Sequence, residues 1–387
     1  MQFLKNNVCA PKGFTAIGKP IGIKKSGKYD FAVIYSEVLA DAAAVYTSNK
    51  VKGAPLYVTK KHLSNGKAQA IIVNSGVSNV CTGKKGIKDA EDMAKFLGNE
   101  LGINPKDVVV ASTGLIGAYL PMETIKNGIK GIKNELSVNS DASKAILTTD
   151  LAEKEIAVKA DNFIIGAIAK GSGMIHPNMA TMLCFMTTDA KMPSKKLNAM
   201  LKNSVNKSFN MINVDMDQST SDMAVILANG MAGKANEKKF QKALDFACIE
   251  LAKKIAKDGE GATKLIEINA KNAKTEEDAK KIAKSIINSN LVKCAIFGKD
   301  VNWGRLMCAI GNSGVKFNEN SIDIYFDNEK IVENGKGANY DLKKVKKLMD
   351  KDNLKIVVDL KQGNENATAY GCDMSYDYIK INAEYTT

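Results

Sequence analysis

The chain is expected to be an α/β protein, a layered α+β sandwich of strands and helices followed by a smaller α+β domain. Three observations carry this expectation. Apolar runs of strand length alternate with segments of helical periodicity along most of the chain. The runs are bounded by Gly, Pro, Asn and Asp, the residues that turn a chain. A length of 387 residues, 45% hydrophobic and 25% charged, fits one large or two ordinary globular domains.

In chain order, the expected strands of the main region are Phe31–Tyr35, Ala70–Asn74, Val108–Ser112, Ile164–Ala169, Met182–Met186 and Ala224–Ala228. Ala90, Met93, Ala94, Leu97 and Leu101 recur at helical spacing, and Gly102 and Pro105 end that helix. Gly83–Gly86 reads as a Gly/Lys loop ahead of it, without the GxxxxGK[ST] pattern of a phosphate-binding loop. Gly171-Ser172-Gly173 lacks the third glycine of a dinucleotide fingerprint. A second helical stripe runs through Leu244, Ala247, Cys248, Leu251, Ala252 and Ile255 and ends at Asp258-Gly259. The main region is drawn over 1–274. A smaller α+β domain is drawn over 275–375, with a lysine-rich amphipathic helix at Thr275–Asn288. Its strands are expected at Lys293–Ile296, Ser321–Phe326 and Lys355–Leu360, and a helix around Tyr340–Lys351. Residues 376–387 form a tail.

The composition excludes several function classes. The net charge of +13 raises nucleic-acid binding. Against it, the lysines are dispersed, and Arg305 is the sole arginine able to read guanine with two hydrogen bonds. A lysine-rich solvated surface is the simpler reading. No apolar run reaches the roughly 18 residues of a membrane helix, and the first residues lack a signal peptide's apolar stretch. A cytoplasmic location is the default expectation. The 7 cysteines show no CxxC pair and read as small buried hydrophobes. Only His62 and His176 could add imidazole ligands, so no metal site is expected. His62 reads as a surface residue and His176 as a loop residue shaping a turn.

The densest signal is Lys-Gly-Ser-Gly-Met-Ile-His-Pro-Asn-Met-Ala-Thr-Met-Leu over 170–183. A turn rich in Gly, Pro and Asn leads to Ala180-Thr181 at the mouth of an apolar run. By local pattern alone Thr181 is a β-branched residue starting a strand. The same arrangement suits a self-cleaving N-terminal-threonine enzyme. There the hydroxyl attacks the preceding carbonyl, and the freed α-amine becomes the base for that hydroxyl. An α-amine has a reference pKa near 7.7–8.0, so no histidine is required.

This segment resembles the self-cleavage signature of the glutamate N-acetyltransferase / ornithine acetyltransferase family. The resemblance spans the chain. Ala42–Asn49, Ile72–Gly76, Ser112–Gly117, Thr148–Asp150, Asp258–Lys264 and Gly298–Arg305 look like family motifs in family order. It implies transfer of an acetyl group from N-acetylornithine to glutamate in arginine biosynthesis. It also implies a precursor cut between Ala180 and Thr181 into α (1–180) and β (181–387) pieces, assembled as a heterotetramer or a higher multiple. Thr181 would be the nucleophile and its α-amine the base, with Thr113 and Gly114 as the oxyanion hole. Thr148, Lys170, Thr181, Glu260, Asn382 and Thr387 would contact substrate, which requires the C-terminal tail to return to the site. No cofactor is implied; acetyl-CoA enters as a substrate if the enzyme is bifunctional, a choice that no residue makes. Val214–Asp222 matches the family loosely, and no function is carried onto it. Asn302-Trp303-Gly304-Arg305 is read as structural. The nearest alternative is an N-terminal-threonine aminopeptidase or amidase, with water as acyl acceptor. The alternative from another class is a basic binding protein without catalysis.

Overall fold

The computed structural model describes residues 1–5, 7–176 and 182–384. The expected scissile residues Ala180 and Thr181, and Thr387 of the tail, lie outside the described residues. Among the described residues the fold is mixed α/β, with two sheets covered by helices.

The first sheet has 9 strands. They are β1 (Gln2–Phe3), β2 (Phe14–Lys19), β3 (Phe31–Tyr46), β4 (Lys67–Val77), β5 (Val108–Leu115), β6 (Lys154–Ala160), β7 (Phe163–Lys170), β8 (Leu183–Lys191) and β10 (Met223–Lys234). Their spatial order is β1-β6-β7-β8-β10-β3-β4-β5, with β2 paired to β3. The second sheet contains β9 (Ile212–Asn213), β11 (Leu265–Ala273), β12 (Asp323–Phe326), β13 (Glu329–Glu333), β14 (Lys336–Gly337), β15 (Asn353–Asp359) and β16 (Glu365–Cys372). Its order is β14-β13-β12-β15-β11-β16-β9. This sheet therefore recruits β9 and β11 from before residue 275.

Period-2 alternation decides which way each side chain faces. In β8, Cys184 and Met186 enter one core cluster and Leu183 and Phe185 the opposite one. In β10, Ala224 and Ile226 share the first cluster, and Val225 and Leu227 the second. Both faces of the sheet are thus buried, which is why these strands read as unbroken apolar runs rather than alternating ones. The helix Glu237–Lys257 lays Phe240, Leu244, Leu251 and Ile255 on the first face. The helix Gly83–Leu101 lays Ala90, Met93 and Leu97 against Phe31, Val33 and Ile72. The second sheet is covered by the helices Glu276–Ile287, Asn290–Phe297, Trp303–Gly311 and Leu342–Met349.

Four expectations are corrected. Lys293–Ile296 lies in the helix Asn290–Phe297, not a strand. Its buried residues Val292, Ala295 and Ile296 have helical spacing, and the Ser289 hydroxyl accepts the Val292 N–H at 3.3 Å as an N-cap. Gly83–Gly86 is the first turn of a helix rather than a loop. A Cβ at Gly86 would lie 1.9 Å from Thr82 Oγ1, and the Gly86 carbonyl accepts from Asn79 Nδ2 at 2.9 Å, so the glycine marks tight packing. Cys81, Cys294 and Cys308 are exposed; Cys9, Cys184, Cys248 and Cys372 are buried as expected. His62 is half-buried, with Nδ1 2.8 Å from the Val108 carbonyl. The other expected strands and helices coincide with observed ones or overrun them by no more than two residues at an end, as Ser321–Phe326 does the strand Asp323–Phe326. Asn302 caps the helix Trp303–Gly311, and Arg305 donates to the Leu291 carbonyl at 2.9 Å. No helix among the described residues is long and apolar enough to cross a membrane.

Candidate active site

The site is a cleft of about 480 Å³. Strand ends of the first sheet, the turn after the helix Glu237–Lys257 and the C-terminal helix Tyr376–Glu384 meet there. Thr113, Gly114, Thr148, Lys170, Glu260 and Asn382 all line it. Six residues from separated stretches of chain, each expected at a site, thus converge on one cavity.

The first wall is the end of parallel strands β4 and β5. Ser75 is in register with Thr113 and Gly76 with Gly114. Gly114 has φ +124, and a Cβ there would lie 2.4 Å from the Gly76 carbonyl carbon, so only glycine fits. The strand ends are fixed from beneath. Ser112 Oγ donates to Asn74 Oδ1 at 2.6 Å, and Ser75 Oγ to the Ala145 carbonyl at 2.7 Å. Thr113 is 8% exposed. A hydroxyl and a backbone amide on so rigid a support suit a preorganised oxyanion site.

The second wall carries positive charge. Lys170 ends β7 and is 4% exposed, and no hydrogen bond or ion pair of its ammonium is found among the described residues. Burial lowers its pKa, while the Asp150 carboxylate opposes that shift. Burial works against ionisation of Asp150 as well, but Lys170 and Lys154 outweigh it and hold this carboxyl well below the usual range. Asp150 in turn orders the backbone. Its Oδ2 accepts the Thr148 N–H at 3.0 Å, and its Oδ1 accepts the Gly171 N–H at 2.6 Å. The charge of Lys170 also acts on Lys24. Burial brings its pKa down to about 8, and it donates to the carbonyls of Tyr29 and Leu147 at 2.8 and 2.7 Å.

The third wall is acidic. Glu260 sits in the turn after Asp258 and is half-buried. Its backbone N–H donates to the Ser172 carbonyl at 3.1 Å, and Ser172 Oγ donates to the Asp258 carbonyl at 2.7 Å. A Cβ on Gly173 would lie 2.5 Å from the Glu260 carboxyl group, so Gly173 makes room for that carboxylate. Asn382 Nδ2 donates to Glu260 Oε2 at 2.9 Å, which ties the C-terminal helix to the site. Gly261, at φ +69, admits the Tyr378 backbone nitrogen where a Cβ would stand 2.4 Å away.

Asp215, Asp217 and the polar run Gln218–Ser221 also line the cleft. Sequence reasoning assigned nothing to this stretch. The Asp215 carboxylate accepts the N–H groups of Met174 and Ile175 at 2.7 and 2.9 Å. It thereby clamps the backbone just ahead of the expected cut. Burial raises its pKa to about 6. After the cut segment, the Met182 N–H donates to Asp222 Oδ1 at 2.8 Å. Both flanks of the expected scissile bond are thus anchored by aspartates of the 215–222 segment. No local pattern in Asp215-Met216-Asp217 singles out Asp215, because the amides that it holds lie 40 residues or more away in sequence. His176 does not line the cleft; it is half-buried, and burial lowers its pKa. Among the described residues no cluster of His, Cys, Asp and Glu could hold a metal ion.

A cleft with a cation on one wall, carboxylates on another and a rigid Thr-Gly pair between them can orient a zwitterion and stabilise a tetrahedral oxyanion. Comparison with known proteins leads to the same kind of molecule. The ArgJ family model matches residues 15–387. The arginine biosynthesis bifunctional protein ArgJ of Caldanaerobacter subterraneus subsp. tengcongensis is 48% identical over 404 residues, covering 100% of both chains. The protein of the same name from Listeria monocytogenes serovar 1/2a is 47% identical over 399 residues, again covering 100% of both. The crystal structure of the arginine biosynthesis bifunctional protein argJ from Bacillus halodurans is 42% identical with a TM-score of 0.50, and the match covers 51% of this chain and 97% of that one. The chain belongs to the ArgJ family.

Proposed function

We propose that this protein transfers the acetyl group of N-acetylornithine to glutamate through an acetyl ester on Thr181, after cutting its own chain between Ala180 and Thr181. The observation that carries the reading is the convergence of Thr113, Gly114, Thr148, Lys170, Glu260 and Asn382 on one cleft. The names of the full-length relatives, arginine biosynthesis bifunctional proteins, support the pathway. A length supports the cut: the Bacillus halodurans chain is matched over 97% of its length by only 51% of this one, as one piece of a divided precursor would be.

In this mechanism the Thr181 hydroxyl attacks the acetyl carbonyl of N-acetylornithine, and its α-amine takes the hydroxyl proton. The oxyanion forms against Thr113 and the Gly114 N–H; one such donor lowers the barrier by roughly 3–4 kcal/mol. The C–N bond breaks, the proton passes to the departing nitrogen, and ornithine leaves. The amine of glutamate then attacks the ester and loses its proton to the same base; the bond from the acetyl carbon to Thr181 Oγ breaks, the proton returns to Oγ, and N-acetylglutamate leaves. Lys170 meets the α-carboxylate that both substrates share, and Glu260 the side-chain amine of ornithine. Thr148, Asn382 and Thr387 complete the contacts. No cofactor takes part in these steps. Acetyl-CoA is a second acetyl donor to the same threonine, in keeping with the bifunctional relatives. The α and β pieces stay together in a heterotetramer or a higher multiple in the cytoplasm. The 275–375 segment shares the second sheet with β9 and β11 of the 1–274 segment, and the 376–387 tail closes the site.

The test is direct. Purified protein should run as two bands on a denaturing gel, with a new N-terminus Thr-Met-Leu-Cys, and should turn N-acetylornithine over to ornithine continuously only when glutamate is present, stopping after a single turnover per site without it. Thr181→Ala should remain one band and be inactive. Wild-type protein that stays whole and still transfers acetyl groups would refute the mechanism. Free acetate released at the same rate without glutamate would instead mark a hydrolase.

A further inference from the structure

Lys154 has no role in the transfer chemistry, yet it is among the most deeply buried charges in the molecule. It stands on β6 and is 1% exposed. Its ammonium donates to Asp150 Oδ1 at 2.7 Å, to Asp258 Oδ2 at 2.5 Å and to the Ala152 carbonyl at 3.2 Å. A lysine has three N–H donors, and all are used. The Asp150 side chain is 0% exposed and that of Asp258 12%.

Each partner belongs to a different wall of the cleft. Asp150 holds the amides of Thr148 and Gly171, and Gly171 follows Lys170. Asp258 caps the C-terminus of the helix Glu237–Lys257, two residues before Glu260. Asp258 also accepts the amides of Leu151 and Ala152, at 3.1 and 3.4 Å, from the loop that carries Asp150. With Lys170 the group holds two cations and two carboxylates, so its charge balances. A buried ion cluster of this kind adds little net stability, because desolvation offsets most of the attraction. What it does supply is fixed geometry.

We propose that Lys154 is a positioning residue that locks the Thr148/Lys170 wall and the Glu260 wall at the separation an amino-acid substrate requires. The inference rests on the proposed substrate reading of this cleft. It locates the action in substrate binding rather than in the chemical step, because the Thr113–Gly114 pair is held independently by β4–β5 pairing and by Gly76.

The test uses Lys154→Met together with the charge-balanced double variant Lys154→Met/Asp258→Asn, which leaves the charge of Lys170 acting on Asp150 and keeps the fold accessible if the single variant fails. Two readouts are compared with wild type: the separate kcat and KM of acetyl transfer, and hydrogen exchange at the Thr148 and Gly171 amides. The expected result is a KM for N-acetylornithine and glutamate raised by roughly tenfold to a hundredfold, a much smaller change in kcat, and faster exchange at both amides. A folded variant with wild-type KM and unchanged exchange overturns the proposal. So does a loss of activity that merely follows the unfolded fraction. Absence of acetyl transfer in the wild type would instead overturn the substrate reading, and the exchange measurement would still judge the lock.

Discussion

Two ion clusters among the described residues have central charges of opposite sign and differ in how far their partners reach into solvent. In the first sheet, Lys154 lies between Asp150 and Asp258 and is 1% exposed. In the second sheet, Asp323 lies between Lys361 at 2.7 Å and Lys330 at 3.3 Å, whose side chains are 37% and 33% exposed. Asp323 is itself only 4% exposed, but its lysines reach solvent, where salt screens them and Lys330 also pairs with Glu333, so each adds little. The buried lysine has surrendered its hydration, and its partners cannot be left alone without cost. The same contrast extends to the sheets around them. The core of the second sheet is aliphatic, with Ile266, Ile268, Ile324, Ile356 and Val358 packed under four helices. The cleft edge of the first sheet instead buries Asn74, Ser75, Ser112, Thr113 and Lys170. One region is built for packing, and the other gives up packing to hold polar groups in fixed places.

This contrast can be broken or sharpened by substitution, and the largest effect is expected at Gly114. Gly114→Ala must place a Cβ 2.4 Å from the Gly76 carbonyl carbon at φ +124. It should lower kcat by about 100-fold to 1000-fold, the loss associated with one displaced oxyanion donor, as read by steady-state transfer kinetics. Lys170→Met comes next. Removing the buried cation should cut kcat/KM by roughly 100-fold, most of it through KM, if the ammonium meets the substrate carboxylate.

Asp215→Asn probes the clamp ahead of the cut and should show in thermal melts. Burial raises the Asp215 pKa to about 6. The native state therefore favours the protonated carboxyl, and ionisation opposes folding as pH rises through about 6. The neutral asparagine escapes that cost. One amide oxygen cannot accept both backbone amides at any pH, so only the charge cost depends on pH, and the variant's melting temperature relative to wild type should be better above pH 6 than below it. A relative melting temperature that improves at low pH would contradict the assigned sign. The smallest effect is expected at the rim. Lys361→Ala should change stability by no more than about 1 kcal/mol in denaturant unfolding and leave transfer kinetics untouched. A large loss there would erase the distinction between the two clusters.

Much of this was legible in the sequence, for reasons visible in particular residues. Strands buried on both faces announce themselves as apolar runs, as Val108–Ser112 and Met182–Met186 do. They were read short, however: Phe31–Tyr35 is the start of the strand Phe31–Tyr46, whose later residues alternate with Ser, Glu and Asp and weaken the pattern. Lys293–Ile296 was misread because a short apolar run has no periodicity of its own, and Ser289 was the overlooked cap. The site residues that structure gathers at the cleft came from a family resemblance; nothing local distinguishes Lys170 or Glu260 from surface charge. Lys154 was within reach of simple physics. It shares the inward parity of Ile156, Val158 and Ala160 on β6, and a lysine on the buried face of a strand calls for carboxylate partners. Asp215 was hidden by its setting in a polar run that resembles an ordinary loop, since its role depends on backbone amides 40 residues away in sequence.

The central claim is that this cleft serves a covalent acetyl transfer on Thr181. The measurement closest to it is the intact mass of the 181–387 piece after brief mixing with N-acetylornithine and no glutamate. The account predicts one added acetyl group, mapped by peptide fragmentation to Thr181, which disappears when glutamate is supplied. An unmodified piece from protein that nonetheless transfers acetyl groups would contradict it.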